Sequence, residues 1–165
     1  MKQYKNGFTM IELVFVIVVL GILAAVAVPK FAATRVDAQI SKGAADVASI
    51  RSAIVSERQS RLIKGCAKFI PNGTNAADTT TCPNITGGIK QMDAGGLFGG
   101  VLMYPIKNQS GKDGAWSATA GSGTYVYRAG GKTNTFVYYD STDIDPDKRG
   151  KFLCTSGDYC AQLAN

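Results

Sequence analysis

The sequence predicts an α+β fold in which one long N-terminal α-helix packs on a small antiparallel β-sheet. Three patterns support this prediction. Residues 13–28 carry no charge and, with the residues just before them, are long enough to span a membrane as a helix. Apolar residues then recur every three or four positions as far as residue 54, as on one face of a helix. Beyond residue 123, two alternating runs flank a Gly-Gly pair, as in a β-hairpin.

A glutamate lies at the start of the apolar run. A carboxylate within a bilayer costs about 2.5 to 3.5 kcal/mol, so Glu12 is a candidate functional residue. Lys2 and Lys5 precede the run, and basic residues mark the cytoplasmic flank of a membrane helix. The C-terminal domain is therefore expected across the membrane.

The segment Gly7-Phe8-Thr9-Met10-Ile11-Glu12-Leu13, followed by Gly21 and Pro29, resembles the N-terminus of type IV pilins and of type II secretion pseudopilins. The resemblance implies that a prepilin peptidase cleaves between Gly7 and Phe8 and that Phe8 is then N-methylated. It also implies that Glu12 meets the free amine of Phe8 on a neighbouring subunit, a pairing that recovers Coulomb energy at low dielectric. The residues implied in filament assembly are Glu12, Phe8, Thr9, Gly21 and Pro29.

The predicted organisation has four parts: a leader over 1–7, a hydrophobic transmembrane and assembly helix over 8–29, an amphipathic continuation over 30–64, and a globular domain over 65–165. A plain membrane anchor and an ordinary secretory signal ending at Ala25-Val26-Ala27 are the alternatives. Glu12 disfavours both alternatives, because neither offsets the cost of a carboxylate in the apolar run.

The second half of the helix is predicted to run to Ile63, where Lys64-Gly65 favours a helix end. Pro29 predicts a kink, because its ring clashes with the preceding turn. The resemblance implies that the helix between Gly21 and Pro29 unwinds in the filament. The stripe expected to face the sheet consists of Val36, Ile40, Ala44, Val47, Ile50 and Ile54.

The sheet is predicted around a hairpin formed by 123–128 and 135–139, with its turn at Gly130-Gly131. Residues 151–154 are expected to add a third strand, and 101–106 are a candidate fourth. The glycine-rich segment 95–100 lacks the Lys-Ser/Thr of a phosphate-binding loop and is interpreted as a connection. The hairpin tyrosines are expected to pack the sheet rather than to stack on nucleic-acid bases.

Four cysteines, Cys66, Cys82, Cys154 and Cys160, allow three pairings. Neighbours in sequence favour Cys66–Cys82 and Cys154–Cys160, as staples for a small core on the oxidising side of the membrane. Zinc is the alternative, but the chain has no C-x-x-C pair and no histidine.

The acidic segment that contains Asp140, Asp143, Asp145 and Asp147 is a second candidate site. Clustered carboxylates are typical calcium ligands, and the major pseudopilins, which this chain resembles, bind calcium in a C-terminal loop. A solvated turn neutralised by Lys148, Arg149 and Lys151 is the simpler interpretation. No other cofactor is expected.

The sequence thus indicates a structural subunit of a type IV filament: a pilus, or the pseudopilus of a secretion or DNA-uptake system. The resemblance implies partners: further copies of the chain, related minor pilins or pseudopilins, the prepilin peptidase, membrane lipid and an inner-membrane assembly platform with an ATPase motor. It also implies a single pass through a bacterial inner membrane with the C-terminal domain in the periplasm, before assembly into a periplasmic pseudopilus or a cell-surface pilus.

The alternative function is a membrane-anchored module that binds DNA or a surface without polymerising. Loss of the leader removes two of the 18 basic residues and leaves 16 against 12 acidic ones, so DNA binding has weak support. An enzyme is not expected, since no histidine, nucleophile elbow or carboxylate dyad is present.

Overall fold

The computed structural model describes residues 7–72, 89, 96–118 and 123–164. The chain forms two compact units, Met1–Asp37 and Ala38–Asn165. Helix α1, Met10–Ile63, contributes residues to both. The leader residues 1–6, most of the segment between Asn72 and Gly96, and Cys82 lie outside the described residues.

Helix α1 begins two residues later than predicted and ends at Ile63, as predicted. Its C-terminus is closed by Gly65, whose φ of 85° suits a residue without a side chain. The Gly65 N–H donates to Leu62 O at 3.0 Å, and the Cys66 N–H donates to Arg61 O at 2.9 Å. These two bonds form a Schellman motif and satisfy carbonyls that the helix leaves without intrahelical partners.

In the first unit, α1 is apolar and exposed. It is long and apolar enough to cross a membrane, and none of its most apolar 18-residue window is buried within the molecule. A surface of this kind is unstable in water and requires lipid or other apolar helices around it. The helix continues through Gly21 and Pro29. Whether Pro29 kinks it, or the segment unwinds on assembly, stays a prediction.

In the second unit, four antiparallel strands form a sheet of order β3-β4-β5-β6. The strands are β3 Ala115–Ala118, β4 Thr124–Ala129, β5 Lys132–Tyr138 and β6 Phe152–Ser156. A short pair, β1 Gly96–Leu97 with β2 Ile106–Lys107, and a final helix α2, Cys160–Leu163, complete the described elements.

The predicted hairpin is confirmed. Strands β4 and β5 pair from Thr124↔Val137 to Ala129↔Lys132, with Gly130 and Gly131 in the turn. Both glycines have positive φ, 55° and 75°, as a two-residue turn between twisted strands requires. The predicted third strand is confirmed as β6, displaced by one residue at its start and two at its end.

The rest of the sheet differs from the sequence prediction at three places. Residues 101–106 do not form a strand; only Ile106 pairs, because the backbone turns where Val101 N and Leu102 N both donate to Phe98 O. Strand β3 was not predicted, since Ala-Trp-Ser-Ala lacks a strong strand pattern. The 95–100 segment is more than a connection, because Gly96–Leu97 is strand β1 and Leu97 and Phe98 are buried.

The core lies between the second half of α1 and the inner face of the sheet. Val47, Ile50 and Ile54 are buried as predicted, and Ile40 packs against the same cluster. The sheet contributes mainly aromatic rings, and the turn after β1 adds Phe98. The rings from the sheet are Trp116, Tyr125, Tyr127, Phe136, Tyr138 and Phe152. The prediction that the tyrosines pack the sheet is therefore confirmed for Tyr125, Tyr127 and Tyr138, whose buried rings cannot stack on nucleic-acid bases.

Candidate assembly site at the start of the apolar helix

Thr9 and Glu12 form a reciprocal cap at the first turn of α1. The Thr9 backbone N–H donates to Glu12 Oε2 at 2.9 Å, and the Thr9 hydroxyl donates to the same oxygen at 2.7 Å. In return the Glu12 N–H donates to Thr9 Oγ1 at 3.3 Å. This is the capping box that Ser/Thr-x-x-Glu sequences form, and it satisfies backbone donors that a helix start otherwise leaves unpaired.

The cap uses only one of the two oxygens of the Glu12 carboxylate, Oε2. Among the described residues, Glu12 Oε1 has no hydrogen-bond donor. The site can therefore keep its helix start intact while the second oxygen accepts a cation from outside the chain. Because the two donors to Oε2 belong to Thr9, cleavage of the Gly7–Phe8 bond would leave the cap unchanged.

Gly7 and Phe8 lie before the helix and outside regular secondary structure. The Phe8 side chain is 84% exposed. A peptidase needs an accessible bond, and the residues on both sides of the expected cleavage position, Gly7 and Phe8, are exposed.

Apolar side chains cover every face of the helix beyond this site. Between Met10 and Phe31 the exposed large hydrophobic residues are Met10, Ile11, Leu13, Val14, Phe15, Val16, Ile17, Val18, Val19, Leu20, Ile22, Leu23, Val26, Val28 and Phe31. Gly21 lies within this surface, and an added Cβ there would meet nothing within 4 Å. A helix that is apolar all round is typical of a segment buried in lipid or in a helical assembly.

The second candidate site, the acidic segment, is arranged less favourably for calcium, its predicted ligand. Asp140 Oδ1 accepts from the N–H and hydroxyl of Thr142, Asp143 Oδ1 accepts from Asp145 N, and Asp145 Oδ1 accepts from Asp147 N. Asp145 Oδ2 pairs with Lys148 Nζ at 3.0 Å. Each of these three carboxylates caps its own turn.

In the part of the chain that the structure describes, no three acidic, histidine or cysteine side chains converge as a metal site would need. These residues do not fit calcium in this arrangement, and calcium binding stays a prediction. A thermal midpoint that millimolar calcium leaves unchanged would remove it.

The predicted disulfide pairing is confirmed for the one pair whose two cysteines both lie among the described residues. Cys154 and Cys160 form a disulfide that joins β6 to α2. Cys66 is buried at the end of α1 and is not a free thiol. Its predicted partner, Cys82, lies outside the described residues, so the Cys66–Cys82 pairing stays a prediction.

Sequence reasoning singled out Glu12 and Thr9 but missed how they interact. The signal was present, because Thr9 and Glu12 have the spacing of a capping box. It also missed Arg51, which donates to Phe152 O at 3.2 Å and to Ala164 O at 2.9 Å. No local pattern marks that residue, since both acceptors lie more than 100 residues away.

An apolar helix with a capped glutamate at its start fits the class of membrane-anchored subunits that assemble through their N-terminal helices. Comparison with known proteins agrees. Residues 2–28 match the family model of the prokaryotic N-terminal methylation motif.

The chain is 38% identical to the type IV narrow pilus major component PilA5 of Thermus thermophilus over 80 residues, which are 46% of this chain and 69% of PilA5. It is 39% identical to the type IV major fimbrial protein FimA of Dichelobacter nodosus over 54 residues, 33% of this chain and 35% of FimA. A fimbrial protein of Pseudomonas aeruginosa is 38% identical over 56 residues, 34% of this chain and 36% of that protein.

The chain thus spans about a third of the length of the FimA relative that it matches. No solved structure matches it. The match to PilA5 covers more than two thirds of that relative, and the chain belongs to the type IV pilin family.

Proposed function

We propose that this chain is a structural subunit of a type IV filament, polymerised through its N-terminal helix. The observation that carries the proposal is the Thr9–Glu12 cap at the start of an exposed apolar helix. A carboxylate in this position is costly in lipid, and the cap supplies two donors that lower the cost while the subunit waits in the membrane.

Processing precedes assembly in this proposal. A prepilin peptidase cleaves after Gly7, and the new N-terminal Phe8 is methylated. The family match over residues 2–28 supports both steps. Before cleavage the subunit already crosses the inner membrane once, with its C-terminal domain in the periplasm, consistent with Lys2 and Lys5 before the apolar run.

Assembly transfers the apolar surface of α1 from lipid to neighbouring helices. The Phe8 ammonium of one subunit approaches Glu12 of the next, where Oε1 accepts it. Because only one axial stagger joins the two charges, the pair sets the register between subunits. A separate platform and ATPase motor would extract the helices from the membrane.

The names of the relatives favour a pilus over a pseudopilus. PilA5 is a narrow pilus major component and FimA a major fimbrial protein. We therefore propose a main pilus subunit with a structural and not a catalytic role. Filament partners would be further copies of the chain and related minor pilins.

Three variants at one position test the role of the charge. Glu12→Gln keeps an acceptor oxygen for Thr9 but loses the negative charge, whereas Glu12→Ala and Glu12→Val lose both. We expect all three to be cleaved normally, as judged by intact mass and N-terminal sequencing, and to yield few sheared filaments. Asp37→Asn, which removes another exposed carboxylate of α1, is the matched control and should polymerise like the natural chain.

Two results would contradict the proposal. Normal filaments from Glu12→Val would remove the register role of the charge. A natural chain that still begins at Met1 in its own membrane would instead indicate an uncleaved anchor, as in a binding module.

A further inference from the structure

A polar cavity lies on the outer face of the sheet, the face that points away from α1. Side chains along β4 alternate: Tyr125 and Tyr127 are buried in the core, whereas Val126 and Arg128 are partly buried on the opposite side. A cavity of about 430 Å³ opens there. We call it the outer trough. Because α1 packs on the inner face of the sheet, contacts made through α1 leave the outer trough accessible.

The lining of the outer trough is rich in hydroxyl groups. Its hydroxyl-bearing residues are Ser110, Ser117, Thr124 and Thr133. Three of these hydroxyls, on Ser110, Ser117 and Thr133, have no hydrogen-bond partner in the part of the chain that the structure describes. Val126 and Ala118 supply apolar surface between them. Since a hydroxyl donates one hydrogen bond and accepts two, the lining offers a ligand both donors and acceptors.

The loop over residues 108–114 contributes one wall of the outer trough, and hydrogen bonds hold this loop in place. Asn108 Nδ2 donates to Ala118 O, and Ala118 N donates to Asn108 Oδ1, both at 3.3 Å. At the other end of the loop, Lys42 Nζ of α1 donates to Gly114 O at 2.7 Å. A wall that is ordered beforehand loses little conformational entropy when a ligand binds.

The charge in the outer trough is compensated. Arg128 is the only charged side chain among the described lining residues. Its Nε lies 3.5 Å from Asp113 Oδ1, and its Nη2 donates to Gly131 O at 3.2 Å. These contacts leave Nη1 without a partner among residues 7–72, 89, 96–118 and 123–164. The guanidinium can therefore donate to a ligand, while the neighbouring carboxylate of Asp113 removes the net charge that would select an anion.

We propose that the outer trough binds a neutral saccharide. Every hydroxyl of a sugar both donates and accepts, which matches the mixed donors and acceptors of the lining. The C–H face of a pyranose ring can pack on Val126 and Ala118. The volume lies within the range of about 300 to 1,000 Å³ that is usual for small-molecule sites. Nothing in the proposed function requires this site.

Anions and nucleic acids are the rival ligands, and the lining disfavours both. An anion would gain from Arg128 but would be repelled by Asp113, which lies beside it. Single-stranded nucleic acid is bound by stacking its bases on aromatic rings along a basic groove. The described lining of the outer trough has one cation and no aromatic ring.

Nuclear magnetic resonance of the full chain in dodecylphosphocholine micelles tests the proposal, because this detergent carries no sugar. The probes are the neutral disaccharides cellobiose, maltose, lactose and N,N′-diacetylchitobiose. At least one of them should shift the amide signals of Gly111, Ser117 and Val126 until saturation. If none does, the proposal is wrong. Tighter binding of inorganic phosphate at the same signals would assign the trough to anions and would equally overturn it.

A variant that fills the outer trough gives an independent measure. Ser117→Phe places a ring on the outer face of β3, opposite Val126, and should weaken disaccharide binding by roughly tenfold or more. Thr155→Phe is the matched control, because it places the same ring at an exposed position of β6 that does not line the trough. Unchanged binding by Ser117→Phe, with Thr155→Phe also unchanged, would contradict the assigned site.

A second variant removes the charged donor. Arg128→Met loses the guanidinium and should also weaken binding by roughly tenfold, as expected for loss of a hydrogen bond from a charged group. Lys132→Met removes an exposed cation of the same hairpin, outside the trough, and should bind like the natural chain. Retention of the natural thermal midpoint shows that a variant folds.

The two proposals fail separately. Binding is measured on subunits in micelles, so a trough that takes no saccharide leaves the filament proposal standing. A chain that binds a disaccharide but forms no filament in a host with the assembly machinery would support this inference and contradict the proposed function.

Discussion

Thr9 donates its backbone N–H and its hydroxyl to the same oxygen, Oε2 of Glu12, at 2.9 and 2.7 Å. The residue pair therefore acts as one unit that starts α1 and holds the carboxylate in a fixed direction. Fixing the carboxylate before assembly lowers the entropy lost when a neighbouring charge arrives. The cap thus connects the local structure of one subunit to the proposed contact between subunits.

Removing the Thr9 hydroxyl should loosen this unit. Thr9→Val loses a donor to Glu12 Oε2 and the acceptor of the Glu12 N–H, and loss of such a cap costs about 1 kcal/mol. We expect the Glu12 amide to exchange its hydrogen about fivefold faster in detergent micelles. Thr9→Ser keeps the hydroxyl and should exchange like the natural chain. Equal exchange in the valine variant would show that the cap does not hold in solution.

A hydrogen bond between Trp116 and Asp46 should contribute measurably to the stability of the globular unit. Trp116 is fully buried, and its Nε1 donates to Asp46 Oδ2 at 3.0 Å. Asp46→Ala leaves the indole N–H without this partner, which should cost about 1 to 3 kcal/mol. Asp46→Asn retains an acceptor oxygen and should cost less.

Urea unfolding followed by tryptophan fluorescence measures this difference, because Trp116 is the single tryptophan in the chain. If Asp46→Ala and Asp46→Asn both unfold at the same urea midpoint as the natural chain, solvent replaces the Asp46 oxygen at no cost in stability.

The sequence predicted those parts of the fold that local patterns determine. The helix periodicity placed Val47, Ile50 and Ile54 in the core, and Gly130-Gly131 marked the hairpin turn. Strand β3 escaped prediction because its stability comes from pairing with β4 and from Trp116 packing, both of which are non-local.

The two candidate sites also differ in how far the sequence alone could predict them. The motif around Glu12 singled out Thr9 and Glu12, whose role in assembly stays a prediction, and their spacing determines the capping box. The acidic loop was harder to interpret, since a run of aspartates can converge on a metal or cap its own turns. In the structure Asp140, Asp143 and Asp145 accept from backbone N–H groups two residues further along, and this local geometry prevails.

Gly43 should be intolerant of even a methyl group. It is buried in α1, and an added Cβ would lie 2.6 Å from Leu163 Cδ2 and 2.8 Å from Tyr127 Cζ. Alanine favours a helix over glycine by about 1 kcal/mol, but overpacking here should outweigh this gain and destabilise the unit by about 1 to 3 kcal/mol. Thermal unfolding of Gly43→Ala measures the balance.

Gly21→Ala is the matched control, because it places the same methyl group in the same helix with nothing within 4 Å. It should leave the thermal midpoint of the globular unit unchanged. If Gly43→Ala raised that midpoint, the close packing of Tyr127 and Leu163 on the helix would be wrong.

Alkaline pH should unfold the globular unit through its buried tyrosines. Burial, and secondarily the negative charge of Asp46, raises the pKa of Tyr127 to about 12. Burial likewise raises the pKa values of Tyr125 and Tyr138 well above the usual range. A phenol with a raised folded-state pKa is fully stabilising below its unfolded pKa, about 10, and loses that contribution as the pH rises toward the folded value.

The stability of the unit should therefore be flat up to about pH 10 and fall steeply above it, as the unfolded chain gives up protons that the folded chain retains. Ultraviolet absorbance of the phenolates measures ionisation, and circular dichroism measures unfolding in the same samples. We expect the three buried tyrosines to ionise only as the unit unfolds. Ionisation of Tyr125, Tyr127 and Tyr138 near pH 10, with the fold intact, would contradict the buried positions of these rings.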